Sequence, residues 1–452
     1  MTDLQTHNGA AAARFIAGAA GRRYPPEVVD AAKQCILDWF GVALGAFHEP
    51  TSEVVRRTVR GWQGQGRAQL LLEGTTAPAL AALANGTTAH VLDFDDTDPF
   101  ANVHVTAATW AATYALASHL GRDGAAALSA FITGFEVAGK LGAHNGANFG
   151  RMLQFRGFHP TAVLVRFGAA AAAAALLGLD EARVAHALGV AATTAGGLNA
   201  SFGTMSKPFH AGKAAMDGVL AAQLAAEDFE AATHLLDAPN GLHATLVQDG
   251  SAPPVQLEFT EGWELTRNAF KPYACCKGTH PAVDAARSLA GAVGEREIER
   301  IELQVHPQAK LVAGKPDPQT PLEAKFSLAY CVSIALRGAR AVSTDFDAAR
   351  LRDPALRDLI RRVAVEPRDD LEHTAARMAV RLRDGTTLDA TTELALGNPG
   401  NPMSWDDLCE KFRGMAAPVL GDRTEELLGA LRAFDAPGSF AAVQALLAGP
   451  AA

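Results

Sequence analysis

The segment Phe158-His-Pro-Thr-Ala-Val-Leu-Val-Arg-Phe-Gly-Ala-Ala-Ala-Ala-Ala-Ala-Ala-Leu-Leu177 predicts the helix around which the fold is built. Pro160 suits the first position of a helix, where the missing N–H costs no hydrogen bond. Its seven consecutive alanines would let neighbouring backbones approach closely, so we predict a central, buried helix. His159 and Thr161 would then lie at its N-terminus, where the helix dipole and the free N–H groups favour anions.

Helical periodicity extends on both sides of this segment. The predicted helices run from Pro26 to near Gly45, from Thr76 to Leu92, from Val105 to Leu120 and from Ala125 to Asn145. On the first of them, we expect Asp38 to be a capping or surface residue. Asp180 is expected to cap the helix after the alanine run, and Gly203–Lys213 to form a loop before another alanine-rich helix.

The sequence changes near residue 255 from a purely helical pattern to one that mixes strands and helices. Alternating residues predict strands over Glu299–His306 and Val363–Glu366, and a hairpin of Ala379–Arg383 with Thr386–Thr391 about Asp384-Gly385. Helices are predicted between them, near Pro321–Leu336 and from Asp353-Pro354, and helical periodicity returns after Pro402 and continues through Ala448.

The expected fold class is therefore mainly α with an α+β part. We predict a large all-helical domain built from both chain ends, residues 1–265 and 399–452, with a smaller α+β domain inserted as residues 266–398.

Composition narrows the possible partners. The 452 residues carry a net charge of −9 without a basic run, which argues against nucleic acid. Met1–Gly21 does not resemble a signal peptide, and no apolar stretch reaches about 18 residues without charge, so we predict a cytoplasmic protein with no membrane partner. Its five cysteines include no CxxC pair, which argues against a disulfide framework, a zinc ribbon and a standard iron–sulfur ligand set.

The stretch His90–His104 gathers four aspartates, two histidines and a threonine. A calcium loop starting at Asp93 would have Asp98 where glycine is needed and His104 where glutamate is needed. A zinc or iron site from His90, His104 and one aspartate would have no established ligand spacing. A self-capping polar turn and a catalytic loop, in which carboxylates orient an imidazole or a substrate hydroxyl, are the other interpretations.

Two later stretches also carry candidate chemistry. Lys207 lies between Gly203 and Lys213, and on local pattern alone it could be an ordinary solvated lysine. The turn-rich stretch Lys271–Pro281 lies where the helical pattern gives way to the α+β pattern, which is the predicted boundary between domains. Clefts between domains commonly hold small-molecule sites. Its adjacent Cys275 and Cys276 are more typical of small buried residues than of a nucleophile.

Five motifs in one order resemble the MmgE/PrpD family. They are His90–His104, Gly157-Phe-His-Pro-Thr161, Ser206-Lys-Pro-Phe-His-Ala-Gly-Lys213, Lys271-Pro-Tyr-Ala-Cys-Cys-Lys-Gly-Thr-His-Pro281 and Ala324-Lys-Phe-Ser-Leu-Ala-Tyr330. The resemblance covers nearly the whole chain. It implies a helical domain plus a smaller α+β domain, a homodimer, and a cleft between the domains that works without a metal or an organic cofactor.

The resemblance also implies roles for individual residues. By motif position, the expected catalytic residues are Asp93, His104, His159, Lys207 and Tyr330. The expected substrate-binding residues are Thr97, Lys271, Lys277 and His280, of which His280 is the weakest match because the family varies there. The family usually has proline after the first of these histidines, whereas Val105 follows His104 here, so the direction of that imidazole is left open.

The expected roles follow from the side-chain chemistry. Asp93 would orient a histidine, Thr97 would hydrogen-bond the substrate, and Tyr330 would donate or relay a proton. Lys207 and the two histidines would supply positive charge and proton transfer.

The expected function is a cofactor-independent lyase. It would dehydrate or decarboxylate a small anionic di- or tricarboxylate of the 2-methylcitrate, citrate or cis-aconitate type, by proton transfer at the carbon next to a carboxylate. An isomerase that epimerises an iminodisuccinate-like dicarboxylate is the alternative, and a non-catalytic binding protein on the same fold is the third possibility. The sequence does not separate the first two, and it leaves the substrate, the stereochemistry and the pathway open.

Overall fold

The computed structural model describes residues 8–248, 255–260 and 262–449. These residues form twenty α-helices, which are α1 Asn8–Ala17, α2 Pro26–Gly45, α3 Pro50–Gly61, α4 Pro78–His90, α5 Val105–Leu120, α6 Gly124–Gly142, α7 Phe149–Phe155, α8 Pro160–Leu177, α9 Glu181–Thr193, α10 Ser206–Ala226, α11 Leu242–Leu246, α12 His280–Val293, α13 Pro307–Ala313, α14 Pro321–Ala324, α15 Leu328–Leu336, α16 Ala348–Leu351, α17 Pro354–Arg361, α18 Trp405–Leu420, α19 Arg423–Arg432 and α20 Ser439–Leu446.

Strands are few and form small sheets. They are β1 Ala68–Leu70, β2 Gly74–Thr76, β3 Ala143–His144, β4 Ala147–Asn148, β5 Ile298–Val305, β6 Val363–Pro367, β7 Ala376–Leu382 and β8 Thr387–Thr392. The largest sheet has the order β6-β5-β7-β8, in which β5 and β6 are parallel and the other neighbours are antiparallel. The expected fold class, mainly α with an α+β part, is confirmed.

The alanine-rich helix α8 is central, as predicted. It packs against α5, α6 and α10, and a Cβ added to Gly168 would lie 2.7 Å from the carbonyl oxygen of Gly134 on α6. α8 is also long and apolar enough to cross a membrane, but 89% of it is buried inside the protein. Small side chains therefore serve close helix packing here, because they bring the backbones together.

Two large hydrophobic clusters form the core. The first joins the helices before residue 270 to α18, α19 and α20. The second lies around the four-stranded sheet, α12 and α15. The limits 1–265, 266–398 and 399–452 stay a prediction.

Several local predictions were wrong. Gly203–Lys213 is not a loop, because α10 begins at Ser206; Pro208 lies in its first turn, where a missing N–H has no helical partner to lose. Asp38 is not a surface residue, because its buried carboxylate lies 2.6 Å from Lys411 Nζ.

Two predicted helices also end differently. The helix predicted to reach Asn145 ends at Gly142, and a β3–β4 hairpin follows it. The stretch Pro321–Leu336 is two helices, because Ser327 caps α15. The first seven residues of Met1–Gly21 lie outside the described residues, and most of the remainder forms α1.

Candidate active site

Three helices begin at one cavity. His104 is the N-cap of α5, His159 is the N-cap of α8, and Lys207 lies in the first turn of α10. All three residues line the cavity together with Asp93 and Lys271. Helix N-termini carry partial positive charge, so this end of the cavity is favourable for an anion before any side chain is considered.

Asp93 links two buried lysines. Its Oδ1 lies 2.6 Å from Lys207 Nζ and 3.0 Å from Lys271 Nζ, and Lys271 also donates to the Asp93 carbonyl at 3.0 Å. Burial alone would raise the pKa of the Asp93 carboxyl, but Lys207 and Lys271 outweigh it and lower that pKa. One carboxylate therefore serves two ammonium groups, and the trio keeps a net positive charge.

Asp95, and not Asp93, contacts the imidazoles of His90 and His104. Its Oδ2 lies 2.8 Å from Nδ1 of His90 and 3.1 Å from Nδ1 of His104. Burial alone would raise the pKa of the Asp95 carboxyl, but the two imidazoles lower it well below its usual range. An ionised carboxylate only accepts hydrogen bonds, so both Nδ1 atoms carry the hydrogen and Nε2 of His104 keeps its lone pair.

The histidines are neutral in the free protein. Burial lowers the pKa of His90 to about 3, although Asp95 opposes this. Burial also lowers the pKa of His104, again against Asp95. For His159, burial and Lys207 lower the pKa well below its usual range, and its Nδ1 lies 3.0 Å from Nδ1 of His210. Neutral imidazoles are suited to accept a proton.

Lys277 and Arg151 also line the cavity. The ammonium of Lys277 and the Nε of Arg151 are buried without a hydrogen-bond partner among the described residues. Burial, reinforced by Lys271, lowers the pKa of Lys277 to about 7. Lys277 therefore lies where the resemblance implied, whereas no sequence signal singled out Arg151.

Three predicted site residues have other contacts. Tyr330 is fully buried in the core and does not line the cavity; its hydroxyl donates to the Asp345 carbonyl at 2.6 Å. His280 is also outside the lining, with Nε2 3.1 Å from the Cys275 carbonyl. His280 and Tyr330 lie near the N-termini of α12 and α15, which pack into the second core cluster. Thr97 does line the cavity, but its hydroxyl donates to the Val103 carbonyl at 3.1 Å.

The structure bears on both metal sites that the sequence suggested. Ligand atoms of His90, Asp95 and His104 lie within 4.8 Å of one another, which is the zinc or iron set that the sequence allowed. The hydrogen bond from His90 to Asp95, and the contact of His104 with the same carboxylate, account for this cluster without an ion. A calcium loop is disfavoured, because the Asp93 carboxylate already contacts two ammonium groups that would repel a cation.

Comparisons with known proteins agree with the motifs. The family model described as the MmgE/PrpD N-terminal domain matches residues 10–254, and the one described as the MmgE/PrpD C-terminal domain matches residues 273–433. The chain is 32% identical over 392 residues to a cis-aconitate decarboxylase of Homo sapiens, covering 82% of this chain and 80% of the human protein.

Two further relatives carry the same name. A cis-aconitate decarboxylase of Mus musculus is 30% identical over 455 residues, which cover 94% of this chain and 90% of the mouse protein. One from Aspergillus terreus is 26% identical over 435 residues, which cover 89% of this chain and 88% of the fungal protein.

Proposed function

The chain belongs to the MmgE/PrpD family and is a lyase of that family, and on this premise we propose that it decarboxylates cis-aconitate or a closely similar tricarboxylate. The reaction needs no organic cofactor or metal in this proposal. The names of the relatives support decarboxylation over dehydration, and the charge of the cavity supports a tricarboxylate.

The charge balance of the cavity carries the proposal. The lining includes four cations, Lys207, Lys271, Lys277 and Arg151, whereas Asp93 is the one acidic residue among the described lining residues. The whole chain, by contrast, has a net charge of −9. An acidic protein that concentrates about two to three net positive charges in one cavity is suited to a small polyanion.

Decarboxylation of cis-aconitate requires a proton as well as positive charge. When the bond between the methylene carbon and its carboxylate breaks, that electron pair forms a new double bond to the central carbon. The electron pair of the old double bond takes up a proton at the carbon next to another carboxylate. Carbon dioxide leaves, and one proton is consumed. Fixed cations at the two retained carboxylates would stabilise the charge that develops.

His104 is the proposed proton donor. Its imidazole is neutral in the free protein, but a bound tricarboxylate would bring negative charge to it and raise its pKa. Asp95 would stabilise the resulting imidazolium through Nδ1, and Nε2 would face the substrate. His159 is the second candidate, and Lys207 with Lys271 would hold a carboxylate. Tyr330 and His280 are not part of this proposal, because their polar atoms are engaged elsewhere.

Three other expectations belong to the same proposal. They are a homodimer, a cytoplasmic location and the domain limits given above. Light scattering on the purified protein would give its mass and test the first of them.

The test is proton NMR in D₂O with cis-aconitate, citrate, 2-methylcitrate and racemic iminodisuccinate offered in parallel. We expect cis-aconitate to lose carbon dioxide and the product to carry one deuterium at the protonated carbon. Loss of water from citrate or 2-methylcitrate without decarboxylation would instead identify a dehydratase. Deuterium exchange in iminodisuccinate with no change in constitution would identify an epimerase, and either result would refute the proposal.

A further inference from the structure

The cations of the cavity fall into two groups. Lys207 and Lys271 share the Asp93 carboxylate. Arg151 and Lys277 form no ion pair with any described residue, although Lys277 Nζ and Arg151 Nε are buried. Buried donors without a partner are rare in folded proteins, and each one calls for an explanation such as a ligand.

Arg151 and Lys277 line the same cavity, and so does His373, which lies between β6 and β7. Arg151 comes from α7 and Lys277 from the turn before α12. Because these side chains come from three separate segments, their shared position is a product of the fold.

The neighbouring wall is held in place by neutral side chains. Gln154 of α7 accepts hydrogen bonds from Asn102 Nδ2 at 2.5 Å and from Gln308 Nε2 at 2.7 Å. Gln308 lies on α13, so this bond ties α7, which carries Arg151, to the sheet-containing part. A guanidinium presents paired N–H groups that match a carboxylate.

We propose that Arg151 and Lys277 form a second anion subsite, which binds one carboxylate of the substrate and selects tricarboxylates over dicarboxylates. The inference rests on the proposed function, and it adds the residues that determine substrate choice. A tricarboxylate would use this subsite together with Lys207 and Lys271. A dicarboxylate would be satisfied by fewer cations, so it would gain less from the second subsite.

The test uses unreactive acids, so that it does not depend on turnover. Calorimetry would compare propane-1,2,3-tricarboxylate with pentanedioate, which has the same carbon chain without the central carboxylate. The variants are Arg151→Gln and Lys277→Met. Lys310→Met is the matched control, because Lys310 is an exposed lysine on the neighbouring α13 that does not line the cavity.

We expect the wild type to prefer the tricarboxylate, and each variant to lower that preference about tenfold. The control should retain the preference. An equal loss of affinity for both acids would overturn the proposal, because it would indicate general electrostatic attraction, and so would unchanged affinities. The two proposals can fail separately. The preference for the tricarboxylate can hold even if the protein does not decarboxylate cis-aconitate, which would refute only the proposed function. Decarboxylation can also proceed while the variants keep that preference, which would refute only the subsite.

Discussion

Replacing Asp95 by asparagine tests the proposed proton donor most directly. The Asp95 carboxylate accepts a hydrogen bond from Nδ1 of His90 and lies 3.1 Å from Nδ1 of His104, which donates to the Asp96 carbonyl. The amide has nearly the same shape but no charge, and its NH₂ group can turn toward an imidazole that also donates. We expect Asp95→Asn to fold normally and to lose most of its turnover.

The magnitude follows from the distance between the charges. Asp95 Oδ2 lies 3.1 Å from His104 Nδ1. At that separation, a pair of unit charges is worth about 5 kcal/mol at an effective dielectric constant near 20. Since about 1.4 kcal/mol corresponds to a tenfold change in rate, the largest expected loss of kcat is about five-thousandfold. The Asp96 carbonyl lies 2.9 Å from the same nitrogen and would still accept its hydrogen bond after the substitution. We therefore expect a loss of kcat of at least about a hundredfold.

The assay is initial-rate decarboxylation, with circular dichroism and thermal unfolding to check the fold. Asp217→Asn is the control, because Asp217 is a buried carboxylate that pairs with Arg166 at 2.9 Å and does not line the cavity. It should lose stability without a comparable loss of kcat in the folded protein.

A double variant makes the test decisive. If Asp95 acts through His104, Asp95→Asn should have little further effect in a protein that already carries His104→Ala. A similar fold loss in both backgrounds would refute the reasoning, and so would full turnover by folded Asp95→Asn.

Three other predictions concern Asp93, Lys277 and the packing of α8. Asp93→Asn leaves two buried ammonium groups without their carboxylate, so chemical denaturation should show a loss of about 3–5 kcal/mol; an unchanged midpoint would contradict this. The amine of Lys277 has a pKa of about 7 in the free protein, so it loses charge as the pH rises through that value. Affinity for the tricarboxylate should therefore fall above about pH 7, and Lys277→Arg should remove that part of the pH dependence. Gly168→Ala places a Cβ 2.7 Å from a neighbouring carbonyl oxygen and should cost about 1–3 kcal/mol, whereas Gly291→Ala, with nothing within 4 Å, should be neutral or slightly stabilising in the same denaturation assay.

Much of the local structure could be predicted from the sequence. Pro160 occupies the first position of α8, Asp180 caps α9, and Asp384-Gly385 turns the β7–β8 hairpin. Each of these depends on neighbours within a few residues, and backbone geometry there is set by the side chain itself. The loop predicted around Lys207 was wrong because proline in a first turn looks like proline in a loop when only its neighbours are considered.

The candidate site was predictable as a set of residues but not as a set of contacts. Four residues of the motifs, His104, His159, Lys207 and Lys271, line one cavity. The resemblance implied that Asp93 orients a histidine, but it is Asp95, two residues further along, that contacts the imidazoles. Every aspartate in this stretch has the same local signal. Whether a carboxylate meets an imidazole or a lysine depends on a backbone turn at Asp93, whose φ is 51°.

The sequence by itself therefore determined which segments are helical, where the sheet-forming segment lies and which polar stretches hold the candidate site residues. These features depend on periodicity and on short-range backbone preferences. The tertiary structure alone decided that Asp93 pairs with both Lys207 and Lys271, that Tyr330 points into the core, and that Arg151 joins Lys277 at the cavity. Those outcomes depend on side chains up to 178 residues apart. The free energy of burying a charge depends on which partner the fold brings to it.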